Sequence, residues 1–117
     1  MNSVAPILQI RHEAEKCLVD LRLEPELACF DGHFPGMPVL PGVVQLDWAV
    51  KLAKTHLSIE PQAVAKQFEV LKFQQLLVPG LIVTLELQKK DSHKVLFSYH
   101  SERGQHASGR IVFEDKV

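Results

Sequence analysis

GHFPGMPVLPGVVQLDWA, residues Gly32 to Ala49, is the stretch that decides the fold of this chain. Its first half is punctuation. Three prolines and three glycines stand between Asp31 and Gly42, too many for a helix or a strand. Its second half turns helical at Pro41, a residue suited to a first helical turn because its missing N–H is no loss there. The spacing predicts a helix through Val43, Val44, Leu46, Val50, Leu52 and Ala53 to about His56. Val43, Leu46, Ala49, Val50, Ala53 and Leu57 form one apolar stripe, and Val44, Trp48 and Leu52 a second. Asp47, Lys51 and Lys54 form the one polar wedge between them. A helix apolar nearly all round is expected to be buried on most sides.

Outward from this segment the chain reads as strands. Upstream, Pro6 to Arg11 is a short strand candidate. Lys16 to Leu23 alternates, with Cys17, Val19, Leu21 and Leu23 on one face and Leu18, Asp20 and Arg22 on the other, as a half-buried strand does. Pro25 ends it. Downstream, Ala65 to Gln74 is followed by the turn signal Pro79–Gly80. Leu81 to Gln88 alternates again, Lys89 to His93 is a polar hairpin loop, and Val95 to His100 and Ala107 to Glu114 meet around Arg103–Gly104. The expected order is a strand or two, one buried helix, then four strands in a meander. That is an α+β single domain over residues 1–117, an antiparallel sheet wrapped around one helix.

Composition narrows the function classes. The chain has 117 residues, 46% hydrophobic and 23% charged, an ordinary globular balance. Thirteen Lys and Arg face 14 Asp and Glu, a net charge of -1, which argues against a nucleic-acid binder. No apolar run approaches the ~18 residues of a membrane span. Met1 to Ile10 lacks the basic start and long apolar stretch of a signal peptide, so a cytoplasmic protein is expected. Cys17 and Cys29 are too far apart for a CxxC motif and sit among apolar neighbours, as buried structural thiols do.

The run HFPGMPVLPG, His33 to Gly42, resembles the 3-hydroxyacyl-ACP dehydratases of the FabA/FabZ type, which have the hotdog fold and work as dimers. In that family a His opens an HFPGxPVxPG run and an acid follows fourteen positions later on the central helix. Here those residues are His33 and Asp47. LKFQQLLVPG, Leu71 to Gly80, is similar to the family's strand and Pro–Gly turn after the helix. The stretch QLDWA, Gln45 to Ala49, together with the short length, looks most like the small ApeI dehydratases of aryl-polyene pathways. One departure stands out: these dehydratases commonly carry Gln where Lys51 stands.

The resemblance implies a reaction that these residue types can perform. Loss of water from a 3-hydroxyacyl thioester needs a base for the C2 proton and an acid for the leaving hydroxyl. His33 is the implied base, a side chain suited to that work near neutral pH. Asp47 is the implied acid, donating directly or through a water, and a donor role asks for burial beside apolar groups. Lys51 at i+4 offers the competing reading, a surface ion pair with Asp47. Gly42 and Val43, at the helix N-terminus, are expected to hold the thioester oxygen with backbone N–H groups. Phe34, Met37 and Trp48 are candidates for the acyl tunnel. Asp47 lies about 7.5 Å along the axis and ~140° around it from Gly42. A short substrate would not easily touch both on one helix. In the resembling enzymes the His comes from one chain and the acid from the other.

The implied partners are acyl carrier protein bearing a 3-hydroxyacyl phosphopantetheine and a second hotdog chain, identical or related. No cofactor and no metal are implied. Among the six histidines, His100 and His106 are placed to face each other across a hairpin, without a carboxylate or Cys at ligand spacing. His12, His56 and His93 read as solvated. Two rival functions remain: a hotdog thioesterase, which normally lacks the HFPGxPVxPG run, and a non-catalytic partner subunit, which would be expected to lose the His or the acid.

Overall fold

Period-two alternation and Gly/Pro punctuation give six strands and one helix in the computed structural model, which describes residues 4–27 and 38–115. The strands are β1 (Ile7–Glu13), β2 (Lys16–Arg22), β3 (Val64–Phe73), β4 (Ile82–Lys89), β5 (Lys94–Ser101) and β6 (Gly104–Glu114). The helix α1 spans Gly42–His56 between β2 and β3. All strand pairs are antiparallel, in the order β1-β2-β4-β5-β6-β3.

The inward residues of the central strands build the core. Cys17, Val19 and Leu21 from β2, Val83, Leu85 and Leu87 from β4, and Val95 and Tyr99 from β5 are all fully buried. They pack with Trp48, Ala49 and Ala53 of α1. The thiol of Cys17 is free and buried, as its apolar neighbours imply, while Cys29 lies outside the described residues.

Two expectations need correction. The last four strands are not a meander: β4, β5 and β6 are, but β3 pairs with β6 on the far side. The connection from β3 to β4 makes no hairpin because its backbone is drawn elsewhere. Gln74 N–H donates to the His106 carbonyl (2.8 Å), Leu40 N–H donates to the Leu77 carbonyl (2.7 Å), and Gly80 N–H donates to the Leu23 carbonyl (2.6 Å). Gly80, with φ of 94°, makes the turn that a side chain would resist.

The helix is also less enclosed than its composition suggests. Val44, Gln45, Trp48, Ala49, Leu52 and Ala53 are buried. Leu46 and Val50 are only half-buried, and Val43 is 73% exposed. One sheet covers one side of a helix, so Val43, Leu46 and Val50 of the first apolar stripe are left partly open, while the second stripe is buried. The edge strand β3 is open as well, with Val64, Val70, Leu71 and Phe73 exposed.

Candidate active site

The helix N-terminus is organised by Pro41, whose extended backbone (φ -61°, ψ 146°) places it as the cap, so Gly42 is the first helical residue. Val44 N–H and Gln45 N–H both donate to the Pro41 carbonyl, at 3.0 and 3.1 Å. The amides of Gly42 and Val43 come before this ladder, at the positive end of the helix dipole. The ring of Phe73, from β3, stands over Gly42. A Cβ at Gly42 would lie 3.1 Å from Phe73 Cζ and 3.2 Å from Cε1. The strand edge and the helix start therefore meet at this glycine.

Asp47 follows on the polar side of α1. Its Oδ2 is 2.8 Å from Lys51 Nζ, with the two side chains 43% and 34% exposed. The ion pair thus forms. The burial beside apolar groups that a proton-donating Asp47 needs is not supplied by the described residues, since position 47 belongs to the polar wedge of the helix.

The first turns of the helix are held from inside. Tyr99, fully buried on β5, donates its hydroxyl to the Gln45 carbonyl at 2.6 Å. Burial, and then the Asp47 carboxylate, push the Tyr99 phenol well above its ordinary value of 10.0, so it stays a donor. Gln45, itself buried, donates from Nε2 to the Leu40 carbonyl at 3.0 Å, tying the helix to the end of the preceding loop. Gln45 Oε1 and Trp48 Nε1 are buried without a hydrogen-bond partner among the described residues. Trp48 sits in the core at 0% exposure. Sequence reading missed Gln45, Tyr99 and Phe73 as parts of this site. A polar residue on an otherwise apolar helix face was the one signal available, and only for Gln45.

His33, Phe34 and Met37 lie outside the described residues. Three clefts of about 340, 630 and 420 Å³ occur elsewhere, and none is lined by Gly42, Val43, Asp47 or Trp48. His100 and His106 do not face each other. A register shift after Tyr99 pairs His100 with Gln105. His106 is fully buried, with Nε2 2.6 Å from Ser101 Oγ. His100 instead lies 3.9 Å from Glu86 on a partly exposed surface. His93 is exposed beside Ser92 and Asp115. His12 is exposed as expected and His56 is half-buried, and both meet Cys17 at the far end of α1, the one His/Cys/Asp/Glu group of metal-binding spacing among the described residues.

The ApeI-like family model, described as ApeI dehydratase, matches residues 9–110 of the chain. The 3-hydroxyacyl-[acyl-carrier-protein] dehydratase FabZ of Xanthomonas campestris pv. campestris is 27% identical over 118 residues, covering 95% of this chain and 76% of that one. Among solved structures, the dehydratase heterocomplex ApeI:P from Xenorhabdus doucetiae superposes with a TM-score of 0.84 at 32% identity, covering 93% of this chain and 96% of that one. The dehydratase domain of PpsC from Mycobacterium tuberculosis, at 15% identity and a TM-score of 0.70, covers 97% of this chain and 44% of that one, and shares the fold.

Proposed function

The chain belongs to the ApeI-like dehydratase family and is a hydro-lyase of the hotdog fold, and we propose that its substrates are 3-hydroxyacyl thioesters carried on acyl carrier protein. Dehydration of 3-hydroxyacyl thioesters in fatty-acid or aryl-polyene type synthesis is the activity. The observation that carries the reading is the match over residues 9–110, which takes in the whole run from His33 to Asp47.

In this reading His33 takes the C2 proton of the substrate. The electron pair of that C–H bond forms the C2=C3 double bond. The C3–O bond breaks, and the leaving hydroxyl receives a proton from Asp47, directly or through a water, and departs as water. Charge that builds on the thioester oxygen is met by the amides of Gly42 and Val43. Phe34, Met37 and Trp48 flank the acyl chain. A second hotdog chain, identical or related, completes the site. Support for it comes from the exposed apolar edge of β3 and from the likeness to a solved heterocomplex.

The test uses the full chain, alone and with a candidate partner chain. A 3-hydroxyacyl thioester and its enoyl counterpart are supplied on acyl carrier protein, while conjugated enoyl absorbance and free thiol are followed. Interconversion that drops about 10²-fold or more in His33→Ala and Asp47→Asn supports the assignment. Free thiol without interconversion identifies a thioesterase. Full dehydratase activity in His33→Ala would sink the mechanism.

A further inference from the structure

We propose that His12, Cys17 and His56 form a binding site for a divalent transition-metal ion of the zinc type, separate from the dehydratase site. The three donor atoms, one from each side chain, all lie within 4.8 Å of one another. Strand register brings the first two together: His12 and Cys17 are direct partners across the β1–β2 hairpin, so their side chains share a face. The helix brings the third, since His56 is the last residue of α1. Its ring centroid is 6.0 Å from that of His12.

The donor set suits a borderline-soft cation. Two imidazoles and one thiolate are ligands that zinc takes with bonds of about 2.0–2.3 Å, which places tetrahedral donors roughly 3.3–3.7 Å apart. The present separations need each ring to close by little more than an ångström. His12 is exposed and His56 half-buried, so both rings can turn. Cys17 is fixed in the core wall and would anchor the site. A helix C-terminus also carries partial negative charge, which favours a cation beside it. Three protein ligands leave the fourth position to water or an external group, so the ion would clip the β1–β2 hairpin to the end of the helix.

This site stands at the opposite end of α1 from Gly42, roughly 21 Å away at the rise of a helix. Its failure would leave the dehydratase reading untouched.

The experiment titrates the full, untagged chain with Co²⁺ and with Zn²⁺. The expected result is one ion per chain, with a near-ultraviolet thiolate-to-cobalt charge-transfer band that Zn²⁺ abolishes. His12→Gln and His56→Gln, both at accessible positions, should each weaken Zn²⁺ binding at least tenfold while keeping the parent circular dichroism and dehydratase rate. A cobalt spectrum without the charge-transfer band, or Zn²⁺ affinity within threefold of the parent in both histidine variants, would overturn the proposal.

Discussion

Gly42→Ala separates the catalytic use of the helix N-terminus from its structural use. The new Cβ would stand 3.1 Å from Phe73 Cζ and 3.2 Å from Cε1, a few tenths of an ångström inside ordinary contact. Phe73 is 53% exposed, so its ring can swing away. A displaced rotamer costs about 1 kcal/mol or less. Alanine in a helix gains up to about 1 kcal/mol over glycine. The two nearly cancel, and the net change stays within ~1 kcal/mol, or a melting shift within roughly 6 °C for a domain of this size.

Activity should respond quite differently. A thioester oxygen must come within about 3 Å of the amides of residues 42 and 43 to be stabilised. A methyl group at position 42 occupies the approach, and an ångström of misplacement is worth on the order of 10²-fold in rate. The expected result is therefore kcat/KM down about 10²-fold with thermal melting nearly unchanged. Initial rates of enoyl formation and circular dichroism melts measure both. The double variant Gly42→Ala/Phe73→Leu removes the ring atoms that the methyl meets. It should stay as slow as Gly42→Ala. Rates within threefold of the parent in Gly42→Ala, or recovery in the double variant, would refute the placement of the reacting carbonyl at Gly42.

Other substitutions probe the framework. The coupling between Lys51 and Asp47, read in urea from a double-mutant cycle of Lys51→Ala and Asp47→Ala, should be less than about 0.5 kcal/mol of unfolding free energy, because their i,i+4 pair is part-exposed on both sides. Gly109→Ala should cost about 1–3 kcal/mol in the same assay, since its Cβ would lie 2.7 Å from Leu71 Cδ2 and 2.8 Å from Phe97 Cε2, and Phe97 is buried. Tyr99→Phe should cost about 0.5–1.5 kcal/mol at pH 7 by losing the bond to the Gln45 carbonyl. The Tyr99 phenol is neutral in the fold above pH 10.0, while the unfolded chain ionises there, so the parent loses stability as pH rises past that value. Urea midpoints taken from pH 9 to 11 should show a shallower decline in Tyr99→Phe. Phe73→Glu puts a charge on the apolar β3 edge, and sedimentation should show weaker self-association or weaker binding to a partner hotdog chain.

Which features the sequence disclosed follows from the range of the interactions behind them. Cys17, Val19 and Leu21 announce a buried strand face by alternation alone, and the alternation of Val83, Leu85 and Leu87 does the same. The helix ends at His56 as its periodicity requires. The place of β3 beside β6 was hidden, because the connection that precedes β4 is tied instead to the Leu40 amide, which donates to Leu77, and to the Leu23 carbonyl, which accepts from Gly80. The separation of His100 from His106 hangs on one register shift that no local pattern marks. The meeting of His12, Cys17 and His56 was equally out of reach, since it combines a hairpin register with a helix end more than thirty residues later. Of the proposed catalytic residues, Asp47 was placed on its helix by periodicity, and the ion pair with Lys51 that its i,i+4 spacing offered does form.

The two open edges of the sheet differ in a way that bears on the reaction. β1 exposes Ile7 and Leu8 at its start but carries the charged Arg11 and Glu13 along the rest, and charge discourages another strand from pairing there. β3 instead exposes Val64, Val70, Leu71 and Phe73. Phe73 stands against Gly42, and Val43 beside it is 73% exposed, so this apolar surface runs onto the helix start. A hotdog chain laid along β3 would cover an edge that is otherwise an aggregation hazard and, by the same contact, exclude water from the amides of residues 42 and 43. Asp47 lies about 140° around the helix from Gly42, though only about 40° from Val43. The proposed acid, Asp47, and the proposed oxyanion donor, Gly42, are so divided that one short thioester would not easily reach both on a single helix. The need to cover β3 and the need for a second set of groups at the thioester point to the same second chain.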